Sequence, residues 1–545
     1  MARWRLAALT LLGLLLAVPL AAPFLQILTG LDRLPLLVWN TVLLAGGAGL
    51  IAVPLGTAAA VLLFRTDLPL AGLFRFLTLL TLFVPLALLT SAWQASLGAG
   101  GLFPSAWWGQ SEGRPWAEGL GPAIWIHAVA ALPWVTLLVG RSLLLVEADQ
   151  EADALLAGGP WRMLVVVTLP RCWGAVAAAT VWVVLQVAGD ITVTNVMLVP
   201  TVADEVLSTF QQGGGPPLAR AISIALPVSL AAAVGIYWLL NRAAALVPTL
   251  DAPLQPSLVI RLGAMKWPCF VLVTMALVLL AGVPVASLIW RTGAVGLPLS
   301  WSLATTCDRV TAALLKEGWM IVKSIAAALA SAILTATSGL LLTWIAADAP
   351  RFQKVLFVLA AVALAVPGPI LGIGLKETIL TIVTMVPWKP LSIVLYEGPE
   401  SPVPVMWAHL MRFLPCAVAV FWPVVRQPVT NLGETLRLES SRPFDSFMLD
   451  LWPRARHTWS VLVLVLTALS LGEVGATAMS VETPGWQMYA HVLFNRMHYG
   501  VAADVASLGL ALLIVIASGG AAMLAAGRLL ALVNIKVQEG QFPLV

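Results

Sequence analysis

The chain has 545 residues, of which 60% are hydrophobic and only 10% are Asp, Glu, Lys or Arg, and its mean hydropathy is +0.95. That balance lies far outside the soluble range and defines an integral membrane protein, while a net charge of +4 over such a length gives no basis for a nucleic-acid partner. The four cysteines, Cys172, Cys269, Cys307 and Cys416, show neither CxxC nor metal-ligand spacing and form no framework.

A spanning helix needs about 20 apolar residues, and twelve stretches satisfy that rule: 6–29, 36–64, 76–98, 121–143, 174–198, 219–247, 268–290, 321–346, 355–379, 404–426, 458–480 and 502–533. Several exceed the bilayer thickness, which implies tilt or extension beyond it. The first follows Arg3 and Arg5 without a small-residue cleavage site, so it is expected to be an uncleaved anchor. With the N-terminus inside, 19 of the 30 Lys and Arg fall on or beside cytoplasmic segments, as the positive-inside rule requires. The outer loops 99–120, 291–319, 380–403 and 481–500 are rich in Gly, Pro, Trp and Ser and are long enough for short surface helices.

The two halves of the chain repeat one another. Thr41 matches Ser324, Gly56 matches Gly339, and Asp67-Leu68-Pro69 matches Asp348-Ala349-Pro350. Val84-Pro85 matches Val366-Pro367, and Trp125, His127, Leu132 and Pro133 match Trp407, His409, Leu414 and Pro415. Gly189-Asp190 matches Gly472-Glu473. The expected fold is therefore an all-α polytopic membrane protein of about twelve transmembrane helices, arranged as two parallel six-helix repeats. They cover residues 1–247 and 268–545, with a proline-rich linker at 248–267. An even number of spans per repeat makes the copies parallel, and a path is expected between them.

Between the fourth and fifth stretches lies EADALLAGGPWRMLVVVTLP, Glu151–Pro170. Carboxylates at 147, 149, 151 and 153 suit a helix N-terminus, and Gly158-Gly159-Pro160 is expected to end the first turns before a second apolar segment, Trp161–Leu169. Such a pair is either an amphipathic loop on the membrane surface or a docking element. Its spacing resembles the EAA loop of binding-protein-dependent ABC importer permeases: Glu151-Ala152-Asp153, three residues, Ala157, nine residues, Val167, one residue, Leu169-Pro170. Asp153 and Ala157 depart from the family's Ala and Gly, with Gly158 just behind. A second stretch, Glu434–Pro453, keeps the length and end residues but carries Ser440 at the glycine position. Asn40–Pro69 (NTVLLAG…RTDLP) and Gly472–Thr477 (GEVGAT) are similar to the second-span and fifth-span patterns of iron, thiamine and molybdate-type permeases of the same group.

That resemblance implies a fused, two-repeat transmembrane subunit of a type I ABC importer in the inner membrane. Its partners would be a pair of separate ATPase subunits, docked on Glu151, Ala152, Ala157, Gly158, Leu169, Pro170 and on Glu434, Ser440, Pro453, and a periplasmic or lipid-anchored solute-binding protein. The chain itself has no phosphate-cradling GxxxxGK[ST], no catalytic constellation and no metal-ligand spacing among its five histidines, so no cofactor is expected on it and ATP is used by the partner. Asp190, Glu473 and Arg412 lie within apolar stretches, where ionisable groups face a cavity or a partner. They line a path, with His127 and His409 beside it, or else they bond neighbouring helices, Arg412 neutralising one carboxylate and the histidines bonding carbonyls opened by Pro133 and Pro415. The acidic pair favours a cation, and iron(III) is preferred over thiamine or an oxyanion such as molybdate or sulfate. A carrier driven by an ion gradient, with Asp190 and Glu473 as coupling carboxylates, is the alternative from another class.

Overall fold

Prolines, glycines and two carboxylates decide where the apolar stretches break. The computed structural model describes residues 7–8, 10–17, 34–98, 102–103, 118–146, 148–212, 225, 229–239, 241, 258–296, 300–397, 401–426, 443–480, 486–499 and 502–538. These residues form an all-α, multi-pass membrane protein, relieved among them by one two-residue hairpin, Ala294–Val295 against Ser300–Trp301. Nine of the described helices are long and apolar enough to cross a membrane, and a further pair does so with a bend of 101°.

The principal helices are α1 (Leu34–Arg65), α2 (Ala71–Thr81), α3 (Leu86–Leu97), α4 (Leu120–Leu143), α5 (Ala148–Met163), α6 (Trp173–Ala188), α7 (Thr192–Val196) and α8 (Val202–Gln211). After the linker come α9 (Lys266–Leu277), α10 (Val283–Gly293), α11 (Leu303–Ala347), α12 (Pro350–Ala365), α13 (Gly368–Met385), α14 (Val403–Arg426), α15 (Trp452–Gly472), α16 (Gly475–Ser480), α17 (Tyr489–Tyr499) and α18 (Ala502–Gln538).

Within the described residues, not every one of the twelve stretches is a single helix. Stretches 6–29 and 219–247 lie largely outside the described residues, and four of the others are broken. Stretch 76–98 is α2 and α3, the bent pair, and 355–379 is α12 and α13. The breaks fall at Pro85 (φ −60°, ψ 146°) and Pro367 (φ −56°, ψ 145°), and the ring of Pro367 leaves the preceding Val366 extended (φ −76°, ψ 129°). Stretches 174–198 and 458–480 break after Gly189 and Gly472, where Asp190 and Glu473 turn the chain into α7 and α16. Helix α11 errs the other way: its 45 residues reach about 67 Å, well past a hydrocarbon core of about 30 Å. Its projecting first turns are braced by Arg309, which donates to Thr292 O at 2.7 Å, and by a Glu317–Arg496 ion pair.

Several positions 282 or 283 apart do the same structural work. Helix α1 packs on α4 and α6, and α11 packs on α14 and α15. A Cβ at Gly56 would lie 2.6 Å from Val135 Cβ, and one at Gly339 would lie 2.4 Å from Ala417 Cβ, so glycine permits each crossing. Thr41 Oγ1 accepts the N–H of Val202 (3.2 Å) at the start of α8, and Ser324 Oγ accepts that of Tyr489 (2.9 Å) at the start of α17. The first span of each half leaves its own half. The turn Gly13–Ala17 packs on α12 and α14, with Trp407 Nε1 donating to Leu15 O (3.0 Å), while α9 and α10 lie on α2 and α3 through Phe74–Phe270 and a 2.6 Å Ser96–Ser287 hydrogen bond.

The seam is tied at the turn after α1. Ile260 N donates to Arg65 O (2.7 Å), Leu262 N to Asp67 Oδ1 (2.8 Å) and Lys266 Nζ to Asp67 Oδ2 (3.2 Å). The Leu262 N–H above all, with Lys266 beside it, holds the Asp67 carboxyl below its ordinary value of 3.8. A depressed carboxyl stabilises the fold above its unfolded value and loses that contribution as pH falls through the folded one. Melting temperature should therefore drop on acidification below about pH 4, and Asp67→Asn should flatten that part of the profile.

Candidate functional site

A cavity of about 210 Å³ opens where the broken spans of the two halves meet. Its walls are largely apolar, from α2, α3, α4, α6, α15 and the Leu280–Leu288 segment, with the rings of Trp134 and Trp182 tilted against each other on one side, 5.6 Å between centroids. Four ionisable side chains reach it: His127, Asp190, Arg412 and Glu473. His409, the fifth intramembrane candidate, does not. It is fully buried between α14 and α11, its Nδ1 3.1 Å from Ser331 Oγ, so its partner is a hydroxyl and not a freed carbonyl.

Each carboxylate is held by the break it creates. Asp190 accepts from Thr192 N (3.0 Å) and Val193 N (2.8 Å), and Glu473 Oε1 accepts from Ala476 N (2.7 Å). These are the otherwise orphaned N–H groups of α7 and α16. The two halves then differ. His127 Nε2 stands 3.5 Å from Asp190 Oδ2, whereas Glu473 Oε2 faces Arg412 Nε at 3.9 Å. Arg412 crosses to the other half: a Cβ at Gly189 would lie 3.0 Å from Nη2, and Nη1 donates to Val366 O (3.0 Å) at the α12–α13 break. Its counterpart in the first half, 282 positions earlier, is Ala130, which also lines the cavity. Among the described residues no three His, Cys, Asp or Glu side chains come together as a metal site.

The second site is the stretch from Ala148 to Arg171. Its length and apolarity alone would suit a span, but it folds back on itself at Gly158 (φ −171°, ψ 17°) and Gly159 (φ +79°), a left-handed position that favours glycine. Arms of ten to twelve residues reach only about 15–18 Å, too short to cross. The bend carries an exposed apolar tip, with Leu156 89% and Trp161 75% accessible and Leu155, Ala157, Gly158 and Pro160 beside them. The base is anchored. Glu151, expected near a helix N-terminus, is 0% exposed and paired with Arg65, itself 0% exposed. Thr168 Oγ1 donates to its other oxygen (2.7 Å), and Arg65 Nη1 donates to Leu143 O (2.7 Å) at the end of α4. Ala152 and Leu169 are half-buried along the arms, and Pro170 is exposed at the start of the turn into α6.

Of the stretch 434–453, Pro453 lies in the first turn of α15, while Glu434 and Ser440 lie outside the described residues. Sequence reasoning missed Arg65 and Thr168. The available signal was an arginine closing a 32-residue apolar helix just ahead of Thr-Asp-Leu-Pro. It also missed the tryptophan wall, because Trp134 and Trp182 come from helices whose relative rotation no spacing reveals. Compared with known families and with characterised proteins, the chain matches no family model and no curated protein.

Proposed function

We propose that this protein is the transmembrane permease subunit of an ATP-driven ABC importer in the inner membrane, with its N-terminus cytoplasmic. In this reading residues 1–247 and 268–545 are two parallel repeats and the cavity between them is part of the solute path. The observation that carries the proposal is the bend at Gly158–Gly159: an exposed apolar tip on two short arms, bolted through Glu151 to the ends of α1 and α4. A surface that greasy, held that rigidly at the root of three spans, suits docking of a separate ATPase whose closure must be passed to α1, α4 and α6. The paired breaks, the matched glycine crossings and the reciprocal exchange of first spans support the two-repeat arrangement.

Mechanically, a binding protein outside delivers solute to the outer helices while ATP closes the ATPase pair inside, and the loops at 151–170 and 434–453 transmit that closure to the path. Two carboxylates against one guanidinium favour a cation over an oxyanion, so iron(III) is the proposed cargo, passed along and not coordinated by a resident cluster. The gradient-driven alternative is disfavoured because both carboxylates are already committed as helix caps.

The test is co-purification in gentle detergent from the native membrane. Leu156→Asp with Trp161→Asp, both on the exposed tip, should abolish recovery of an ATPase and ATP-dependent uptake while leaving the melting temperature unchanged. An ATPase retained by that variant, or uptake without ATP, would overturn the proposal. The ligand carried by a co-purifying binding protein identifies the cargo.

A further inference from the structure

Among the described residues, Arg412 is the one Lys or Arg side chain that lines the cavity. A guanidinium carries five N–H donors, yet among the described residues its direct hydrogen bond is the single one to Val366 O, and its approach to Glu473 Oε2, 3.9 Å from Nε, is too long for another. It is nevertheless 6% exposed and lies across the seam, against Gly189 of the first half. The two halves supply one carboxylate each, but the second half alone supplies an arginine; on the other side Ala130 leaves that space open. Removing this one side chain would leave a largely apolar cavity with two carboxylates and a histidine, a site that concentrates small cations.

We propose that Arg412 is a tethered cation that plugs the path: it occupies the place a permeating cation would take beside Glu473 and so bars uncoupled passage of small inorganic cations. The loose 3.9 Å pairing lets the guanidinium swing aside when solute is driven through, and the Val366 O hydrogen bond at the α12–α13 break returns it. The inference rests on the path running through this cavity, as argued above. It requires neither the ATPase nor the identity of the cargo.

The full chain is reconstituted alone in liposomes containing a thallium-sensitive dye, without ATP. Arg412→Gln keeps a donor for Val366 O while removing the charge, and it should admit Tl⁺ at least about tenfold faster than the wild type, the lower end of the effect that fixed charge exerts on local ion concentration. Arg412→Lys should stay tight, and adding Glu473→Gln to Arg412→Gln should suppress the leak. Chloride flux, followed in parallel, should not rise. A monodisperse Arg412→Gln protein as tight as the wild type would overturn the plug, as would a leak that passes chloride equally or survives Glu473→Gln. Failure of the importer reading would appear elsewhere, in ATP-driven uptake by the wild type, and would leave these fluxes as they are.

Discussion

Arg65→Ala should destabilise the protein by about 3–5 kcal/mol, the range found when one partner of a buried ion pair is removed. Arg65 and Glu151 are both 0% exposed, and the guanidinium also satisfies Leu143 O. Alanine would strand a buried carboxylate with one remaining donor, the Thr168 hydroxyl at 2.7 Å, and would orphan a carbonyl at the end of α4. Glu151→Ala strands the cation in turn. The double substitution Arg65→Met with Glu151→Leu removes both charges and their desolvation together, so it should be distinctly less damaging than Arg65→Ala. Thermal unfolding in detergent measures the ranking. Amide exchange across residues 148–171 localises it, because loss of the anchor should speed exchange in the arms before the spans respond. If the double variant melted no higher than the worse single one, the pair would not be holding the bend.

How far the sequence foretold this architecture depends on the range of the interaction. Elements set by local chemistry were legible: the apolar stretches, the hinge at Gly158–Gly159, and the helix-breaking Pro85 and Pro367 all follow from neighbouring residues. The severity of the breaks was not. A proline in a span is compatible with a gentle kink, whereas α2 and α3 meet at a 101° corner at Pro85, with α3 packed against α10. Asp190 and Glu473 stand out in the sequence as charges within apolar stretches, but their duty as caps of α7 and α16 depends on where the helix ends, which hydropathy does not mark. Glu151 shows the same limit more sharply. Its neighbours Gln150 and Ala152 are only half-buried, and its full burial depends on an arginine 86 positions away.

The two matched glycine crossings also predict weak points. Gly56→Ala and Gly339→Ala should each cost about 1–3 kcal/mol, the usual penalty of overpacking, although alanine is the better helix former by about 1 kcal/mol. At Gly56 the added carbon meets Val135 Cβ at 2.6 Å and Leu132 O at 3.3 Å; at Gly339 it meets Ala417 Cβ at 2.4 Å and that residue's backbone from 3.2 Å. None of these atoms can rotate away, so the helices must part, and the loss of close backbone contact is felt along the whole crossing. Gly46, on the same helix as Gly56 but with nothing within 4 Å, is the internal control, and Gly46→Ala should be neutral or slightly stabilising. The decisive variant is compensatory. Ala417→Gly in the Gly339→Ala background moves the methyl from one helix to the other at one crossing, so it should recover most of the loss in melting temperature, a coupling that only residues in contact display. If Ala417→Gly merely added its own destabilisation to that of Gly339→Ala, the α11–α14 crossing would not be set by this glycine.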